Sequence, residues 1–141
     1  MPPEELPLDS LLAVLRAGPP LRLAMLFGSA ARGELRAHSD LDLAILPQDS
    51  RLSLGAELGL QTALARAVGR NVDLVRLDLA PTLVRWQIAR HGRPLLEAGP
   101  FEAARFVADA VGEYLDFAPA FDRAGELFRS RLALDARGAA R

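Results

Sequence analysis

Residues 26–43 read LFGSAARGELRAHSDLDL and contain the features that decide the fold of this chain. The apolar run before Gly28 and Ser29 predicts a buried strand that ends in a turn. Ten residues separate Ser29 from Asp40, where apolar and acidic side chains begin to alternate, with Asp40 and Asp42 on the same face. This alternation predicts a second strand that has one polar face.

The remaining sequence predicts helices around these strands and one further strand. Leucines at helical spacing before Gly18 predict an opening helix, which Asp9 is placed to cap. A helical apolar face followed by Gly69 predicts a helix with a left-handed cap. The predicted elements are a helix from Leu8, a strand at 21–27, a short helix after Ser29, a strand at 40–46, a helix at 53–68, a strand at 71–77, a helix at about 81–91 and a short extended piece at 93–97. The order αβαβαβα is typical of a layered α/β domain.

Three aspartates on the second and third strands are candidates for one shared site. Asp40 and Asp42 have Cα atoms about 6.6 Å apart, from two strand rises of roughly 3.3 Å. Carboxylates that lean together at this spacing can hold divalent ions about 3.5 to 4 Å apart. Gly28 reaches them only if the first two strands are antiparallel, and Asp73 reaches them only if the second and third strands are parallel. We therefore predict a small mixed sheet flanked by helices.

The glycine turn has the chemistry of a phosphate site. Gly28 lacks a Cβ, so the backbone can approach a phosphate closely, and Ser29 is placed to cap a short helix over 30–32. The N–H groups at such a helix start suit an anion, Arg32 can add a charge-assisted contact, and Gly33 would end the turn.

The C-terminal part of the chain differs in composition from the rest. Five of the six Phe residues and the only Tyr lie between Phe101 and Phe128. Helical periodicity predicts a helical extension, which Pro119 should break or kink. We predict a core at 1–98 and an extension at 99–141. The aromatic side chains of this extension could line a partner interface or pack on the chain's own sheet, and both alternatives stay open. These side chains are Phe106, Tyr114, Phe117, Phe121 and Phe128.

Composition excludes several classes of protein. The 141 residues include 17 basic and 18 acidic residues, and this balance disfavours stable binding of nucleic acid or an anionic membrane. Cysteine is absent, which removes disulfides and thiolate metal sites. The acidic, Pro-rich start is unlike a signal peptide, and the uncharged apolar stretch at 23–31 is broken by Arg32 long before it could span a bilayer. We therefore expect a cytoplasmic protein without a membrane segment.

The stretch from Leu26 to Leu43, with Gly-Ser, ten residues and Asp-x-Asp, resembles the nucleotidyltransferase superfamily of the DNA polymerase β type. The form Gly-Ser-x-Ala-Arg-Gly, the segment 72–75 and the stretch 88–96 are similar to the minimal nucleotidyltransferase (MNT) family. Residues 114–117 are similar to the helical tail of its antitoxin members. The resemblance covers nearly the whole chain and implies the nucleotidyltransferase fold.

The resemblance also implies roles for single residues. Asp40, Asp42 and Asp73 would be catalytic and would bind two Mg²⁺ ions, and Asp73 would accept the proton of the attacking hydroxyl. Gly28 and Ser29 would hold the phosphates of ATP, the nucleotide donor. Arg32, whose charge suits the same phosphates, completes the predicted nucleotide site.

Members of the antitoxin group are paired with an HEPN-domain ribonuclease toxin. The resemblance therefore implies a Mg-dependent protein adenylyltransferase, an antitoxin that AMPylates a toxin tyrosine within a hetero-oligomer. Two alternatives remain: nucleotidyl transfer to a small molecule, as in aminoglycoside-type enzymes, and a non-catalytic antitoxin that acts by binding. The first usually needs a larger substrate domain, and the second would leave three facing carboxylates unused.

Overall fold

The computed structural model describes residues 5–139, whose strands form a single sheet with helices packed on both faces. The elements are α1 (Leu8–Ala17), β1 (Leu21–Phe27), α2 (Gly28–Ala31), β2 (Leu41–Pro47), α3 (Leu54–Val68), β3 (Val72–Arg76), α4 (Thr82–His91), β4 (Arg93–Glu97) and α5 (Glu102–Ala139). The predicted elements are all present, with bounds that shift by one residue at several ends and by two at the start of α2.

The sheet has the strand order β3-β2-β1-β4. Strands β1 and β2 are antiparallel, and β2 and β3 are parallel, so the predicted mixed sheet is confirmed. The extended piece after α4 is a fourth strand, which pairs antiparallel with β1 at one edge. Its pairing was not predicted, because a five-residue segment with Pro94 has little strand pattern of its own.

Side chains of β2 divide the apolar core into two layers. Leu43 and Ile45 face α1 and α3, where they pack among buried leucines such as Leu64. Ala44 belongs to the opposite layer, which includes Ile88 of α4 and Phe106 of α5. Both faces of the sheet are therefore covered over most of their length, and polar groups of β2 face solvent only near its first residues.

Helix ends follow the sequence in α3 but not in α1. The Ser53 hydroxyl accepts a bond from the Ala56 N–H at 3.1 Å, and Gly69 has the left-handed φ of +69°. The expected cap of α1 by Asp9 is wrong, because the helix begins earlier, with Pro7 as its flanking residue. Asp9 lies in the first turn, where its negative charge interacts favourably with the helix dipole and stabilises the helix.

Helix α5 continues through Pro119, so the expected break is wrong. A proline removes its own N–H donor and crowds the carbonyl four residues earlier, but the neighbouring residues keep their donors, so the helix can continue past it. Of the C-terminal aromatic residues, Phe106 is buried in the core and Tyr114 stacks on Trp86 with ring centroids 4.0 Å apart. Phe117 and Phe128 are exposed, and the side chain of Phe121 lies outside the described residues. The division at residue 98 stays a prediction.

Arg76 ties the end of β3 to the segment before α3. It is buried, and its guanidinium donates to Asp78 at 2.6 Å and to the carbonyls of Ser50 and Leu52 at 3.1 and 3.0 Å. Hydrogen bonding to Asp78 raises the pKa of Arg76, so the guanidinium stays charged. Because Leu52 and Asp78 are also partly buried, removing the arginine would deprive their oxygen atoms of this donor.

We expect Arg76→Met to lower the free energy of unfolding by about 3 kcal/mol, the cost of breaking a buried ion pair from one side. The matched change Arg51→Met removes an exposed pair with Asp49 and should cost far less, because solvent screens that pair. Urea unfolding of both variants measures the two values. Equal losses would contradict the structural role of Arg76.

Candidate active site

Asp42 occupies the centre of the candidate site because its strand, β2, pairs with β1 on one side and with β3 on the other. Its register partner on β1 is Phe27, and its register partner on β3 is Asp73. Paired residues of neighbouring strands point to the same face of a sheet. Asp40 precedes Asp42 by two residues and shares that face. The structure therefore brings all three predicted carboxylates to one corner of the sheet.

The three carboxylates crowd one another. Burial is the largest effect that raises the pKa of Asp42 above its ordinary value, and the negative charges of Asp73 and Asp40 raise it further. A side-chain hydrogen bond with Asp73 acts in the same direction, whereas the positive charge of Arg32 acts against it. The site thus concentrates negative charge that the protein compensates only in part.

Gly28 lies directly against Asp42. Its φ is +63°, a conformation that side chains with a Cβ rarely adopt. A Cβ at this position would collide with Oδ2 of Asp42 and would lie 3.2 Å from its Cγ. Both the backbone conformation and the close approach therefore require glycine, and they place the turn beside the carboxylates.

Ser29 and Arg32 follow in the same turn. The expected cap by Ser29 is wrong, because α2 begins at Gly28 and Ser29 lies inside its first turn. The Arg32 side chain is 56% exposed and forms an ion pair with Glu34 at 3.0 Å, so it can swing toward a ligand at small cost. Gly33 has a φ of +69° and ends the turn as predicted.

The loop between α2 and β2 is held by residues that sequence reasoning missed. The Arg70 guanidinium donates to the carbonyls of Arg36 and Ser39 at 2.6 and 3.0 Å, and Leu35 is buried. These contacts fix the start of β2, where Asp40 lies. His38 is exposed in this loop. No local pattern marks Arg70, because its partners are more than thirty residues away in the chain.

The carboxylates fit a divalent ion that also takes ligands from a substrate. Within residues 5–139, no three His, Asp or Glu side chains form a ready cage for a metal ion. Mg²⁺ is commonly held by one or two carboxylates together with water and substrate phosphates, so a complete cage is not required. Burial and the neighbouring carboxylates Asp73 and Asp40 raise the pKa of Asp42, and a bound divalent ion would offset both effects.

Two cavities flank this corner. One has a volume of about 360 Å³, adjoins the glycine turn and is mostly apolar; its walls include Phe27, Gly28, Arg32, Leu83 and Gln87. The other has a volume of about 670 Å³ and lies between α3 and the start of β3; its walls include Asp40, Thr62, Arg66, Arg70 and Asp73. We call them the turn cavity and the α3 cavity. Both are large enough for a nucleotide or a substrate side chain.

Comparison with known proteins identifies the family. The model of the polymerase beta nucleotidyltransferase family matches residues 10–100. The chain belongs to this family. The matched residues contain the glycine turn and all three aspartates, so the family resemblance deduced from those residues is confirmed.

Two similar proteins among the curated relatives of this nucleotidyltransferase are adenylyltransferases. The chain is 38% identical to the protein adenylyltransferase MntA of Shewanella oneidensis over 77 residues. The matched residues make up 55% of this chain and 55% of that protein. It is 28% identical to the protein adenylyltransferase MntA of Aphanizomenon flos-aquae over 104 residues, and this match covers 67% of this chain and 69% of that protein. The match thus spans about half the length of the first relative.

Solved structures show the same fold over most of the chain. A crystal structure of a toxin-antitoxin with AMP-PNP superposes with a TM-score of 0.77, 29% identity, and coverage of 87% of this chain and 99% of that one. A structure of a tri-AMPylated Shewanella oneidensis HEPN toxin in complex with an MNT antitoxin gives a TM-score of 0.70 and 27% identity, covering 86% and 95%. The predicted nucleotidyltransferase fold is therefore confirmed. Among the described residues, no helix has the length and apolar character needed to cross a membrane.

We expect Asp42→Asn to raise the thermal unfolding midpoint of the metal-free nucleotidyltransferase at neutral pH. Folding raises the pKa of Asp42, so the folded state disfavours the ionised carboxylate. At pH values above the raised pKa, this lowers the free energy of unfolding of the wild type. This destabilisation vanishes as the pH falls through the folded pKa and then below the ordinary value of 3.8. Thermal melts in a chelator at neutral and acid pH measure the difference.

Asp9→Asn is the matched control, because Asp9 is exposed on α1 and is not among the groups that shift the pKa of Asp42. It should show no stabilisation at either pH. A wild-type protein that is more stable than Asp42→Asn at neutral pH would contradict the charge crowding.

Proposed function

We propose that this nucleotidyltransferase transfers AMP from ATP to a tyrosine hydroxyl of an HEPN-domain ribonuclease toxin and thereby neutralises it as an antitoxin. The observation that carries the proposal is the placement of Asp40, Asp42 and Asp73 against the turn at Gly28. The similarity to antitoxins solved with AMP-PNP and with an AMPylated HEPN toxin supports the choice of donor and partner.

The donor would bind at the glycine turn. The backbone at Gly28 and Ser29 is open to close approach by phosphate oxygens, and the exposed Arg32 guanidinium can pair with the same phosphates. The turn cavity continues from Gly28 along α4, where Leu83 and Val84 expose apolar surface. This surface suits the nucleoside part of ATP.

Asp40, Asp42 and Asp73 would hold Mg²⁺, with two ions as the expected number. When bound, these ions stabilise the negative charge that develops on the transferred phosphoryl group. Asp73 would also accept the proton of the attacking tyrosine hydroxyl. The fixed positions of the carboxylates and the turn would align the attacking oxygen with the departing pyrophosphate.

The part of α5 from Leu115 onward would supply the surface that recognises the toxin. Apolar side chains are exposed along this helix, namely Leu115, Phe117, Leu127, Phe128, Leu132 and Leu134. A row of exposed apolar residues of this kind marks interaction sites more often than ordinary surface. The core at 1–98 would then perform the chemistry and the extension at 99–141 would bind the partner. A cytoplasmic location is part of this proposal.

Experiment can distinguish this proposal from two other functions, namely nucleotidyl transfer to a small molecule and inhibition by binding alone. Transfer to a small molecule would modify a free substrate and would leave the HEPN partner without AMP. A non-catalytic antitoxin would inhibit its partner by binding alone, and carboxylates that repel each other would then serve no purpose.

We expect incubation with labelled ATP, Mg²⁺ and a cognate HEPN-domain protein to label that protein. Asp40→Asn and Asp42→Asn should each reduce the rate of labelling by at least about a hundredfold, because removing one electrostatic contact of the transition state has this effect in other enzymes. Asp9→Asn should keep the wild-type rate.

Absence of label on the partner, with a folded enzyme and an active toxin, would contradict the proposed function. The same variants separate catalysis from occlusion. If Asp42→Asn binds the toxin as wild type does and still inhibits it fully, the non-catalytic alternative is correct.

We also expect Phe117→Ser and Phe128→Ser to weaken binding of the toxin by at least about tenfold, since exposed aromatic side chains are typical binding anchors. Leu54→Ser is the matched control, because Leu54 is equally exposed but lies on α3. Calorimetric titration of each variant with the toxin measures the affinity. An equal loss in the control, or no loss in the Phe variants, would place the interface elsewhere.

A further inference from the structure

The α3 cavity opens onto the reaction centre from the side opposite to the glycine turn. Asp73 and Gly28 lie on different sides of Asp42, since Asp73 is on β3 and Gly28 follows β1. In phosphoryl transfer the attacking and leaving oxygens lie roughly in line. If the pyrophosphate leaves on the Gly28 side, the acceptor hydroxyl must therefore enter on the Asp73 side, where this cavity begins.

The position of β3 makes the cavity accessible to a second protein. Strand β3 is the edge strand of the sheet, so the sheet does not continue beyond Asp73. The outer wall is formed by the last turns of α3 and by the residues that follow it, among them Thr62, Arg66 and Asn71. Most of these residues are exposed, and a protruding side chain of a partner can reach the carboxylates from this side.

The two walls of the cavity carry opposite charges. Asp40 and Asp73 form the acidic wall, and the guanidinium groups of Arg66 and Arg70 belong to the basic wall. Arg70 is engaged by the carbonyls of Arg36 and Ser39 and has a structural role. Arg66 is exposed and takes part in none of the ion pairs that join the described residues.

We infer that the α3 cavity receives the acceptor, and that Arg66 binds the phosphodiester of an AMP group already attached to it. This inference rests on the proposed function. It extends to this chain the successive transfers that the tri-AMPylated toxin of Shewanella oneidensis implies, and it assigns a positioning residue to them. The first acceptor, a tyrosine side chain, carries no charge. An attached AMP carries a hydroxyl to react and a negative phosphate, which match the acidic and basic walls respectively.

The second transfer has the same chemistry as the first. A ribose hydroxyl of the attached AMP attacks the α-phosphorus of ATP, a new P–O bond forms, and the bond to pyrophosphate breaks. The hydroxyl proton passes to the carboxylate of Asp73. Arg66 does not touch the reacting atoms and acts as a positioning residue. Because no attached phosphate is present in the first transfer, we expect Arg66 to increase the rates of the second and later transfers more than the rate of the first.

The experiment follows the number of AMP groups on the HEPN partner over time by intact mass. Wild type, Arg66→Ala, Arg66→Lys and Arg16→Ala are compared with ATP and Mg²⁺, and the ratio of the second to the first transfer rate is measured. Arg16 is the matched control, because it is also an exposed arginine in the last turn of a helix. A general loss of activity slows both transfers and leaves the ratio unchanged.

We expect Arg66→Ala to lower this ratio about tenfold, the effect of losing one charge-assisted contact to phosphate. Arg66→Lys should recover part of it, and Arg16→Ala should keep the wild-type ratio. An unchanged ratio in Arg66→Ala overturns the inference, as does a raised KM for ATP in the first transfer, which would assign Arg66 to the donor. A wild-type enzyme that stops after one AMP also overturns it and leaves the proposed function intact. A wild-type enzyme that transfers no AMP contradicts the proposed function itself.

Discussion

The pairing of β2 with two neighbours of opposite direction is the constraint on which the site depends. Because β1 is antiparallel to β2, the end of β1 lies beside the start of β2, and Gly28 comes to rest against Asp42. Because β3 is parallel to β2, both strands start at the same edge, and Asp73 is aligned with Asp42. Neither pairing alone would bring the turn and all three carboxylates together.

The rest of the fold supports a corner that is unfavourable by itself. Three carboxylates share one face, and the pKa of Asp42 is raised by burial and by its neighbours. Apolar layers on both sides of the sheet compensate for this repulsion. Arg70 holds the loop before β2, and Arg76 holds the end of β3. Stability is thus supplied away from the site, where a ligand can later neutralise the charge.

Much of this arrangement could be predicted from the sequence because the chemistry limits the topology. Asp40, Asp42, Asp73 and Gly28 can meet only in a mixed sheet, so the candidate residues themselves predicted the strand directions. The capping of α3 was also predictable, since Ser53 and Gly69 act on backbone groups that are close in sequence.

The features that sequence reasoning missed depend on contacts between distant residues or on the first hydrogen bond of a helix. The caps assigned to Asp9 and Ser29 failed because each helix begins earlier than its polar residue suggested. The strand at 93–97 exists because β1 offers it an edge, and Arg70 finds its partners across the fold. Pro119 does not stop α5, although the residue type favoured a break.

The most direct test of the central claim is a crystal structure of this chain with Mn²⁺ and a non-hydrolysable ATP analogue, with anomalous scattering used to locate the metal. We expect anomalous peaks between the carboxylates of Asp40, Asp42 and Asp73, and phosphate oxygens at the turn of Gly28 and Ser29. Manganese bound elsewhere, or a triphosphate held away from that turn, would contradict the central claim.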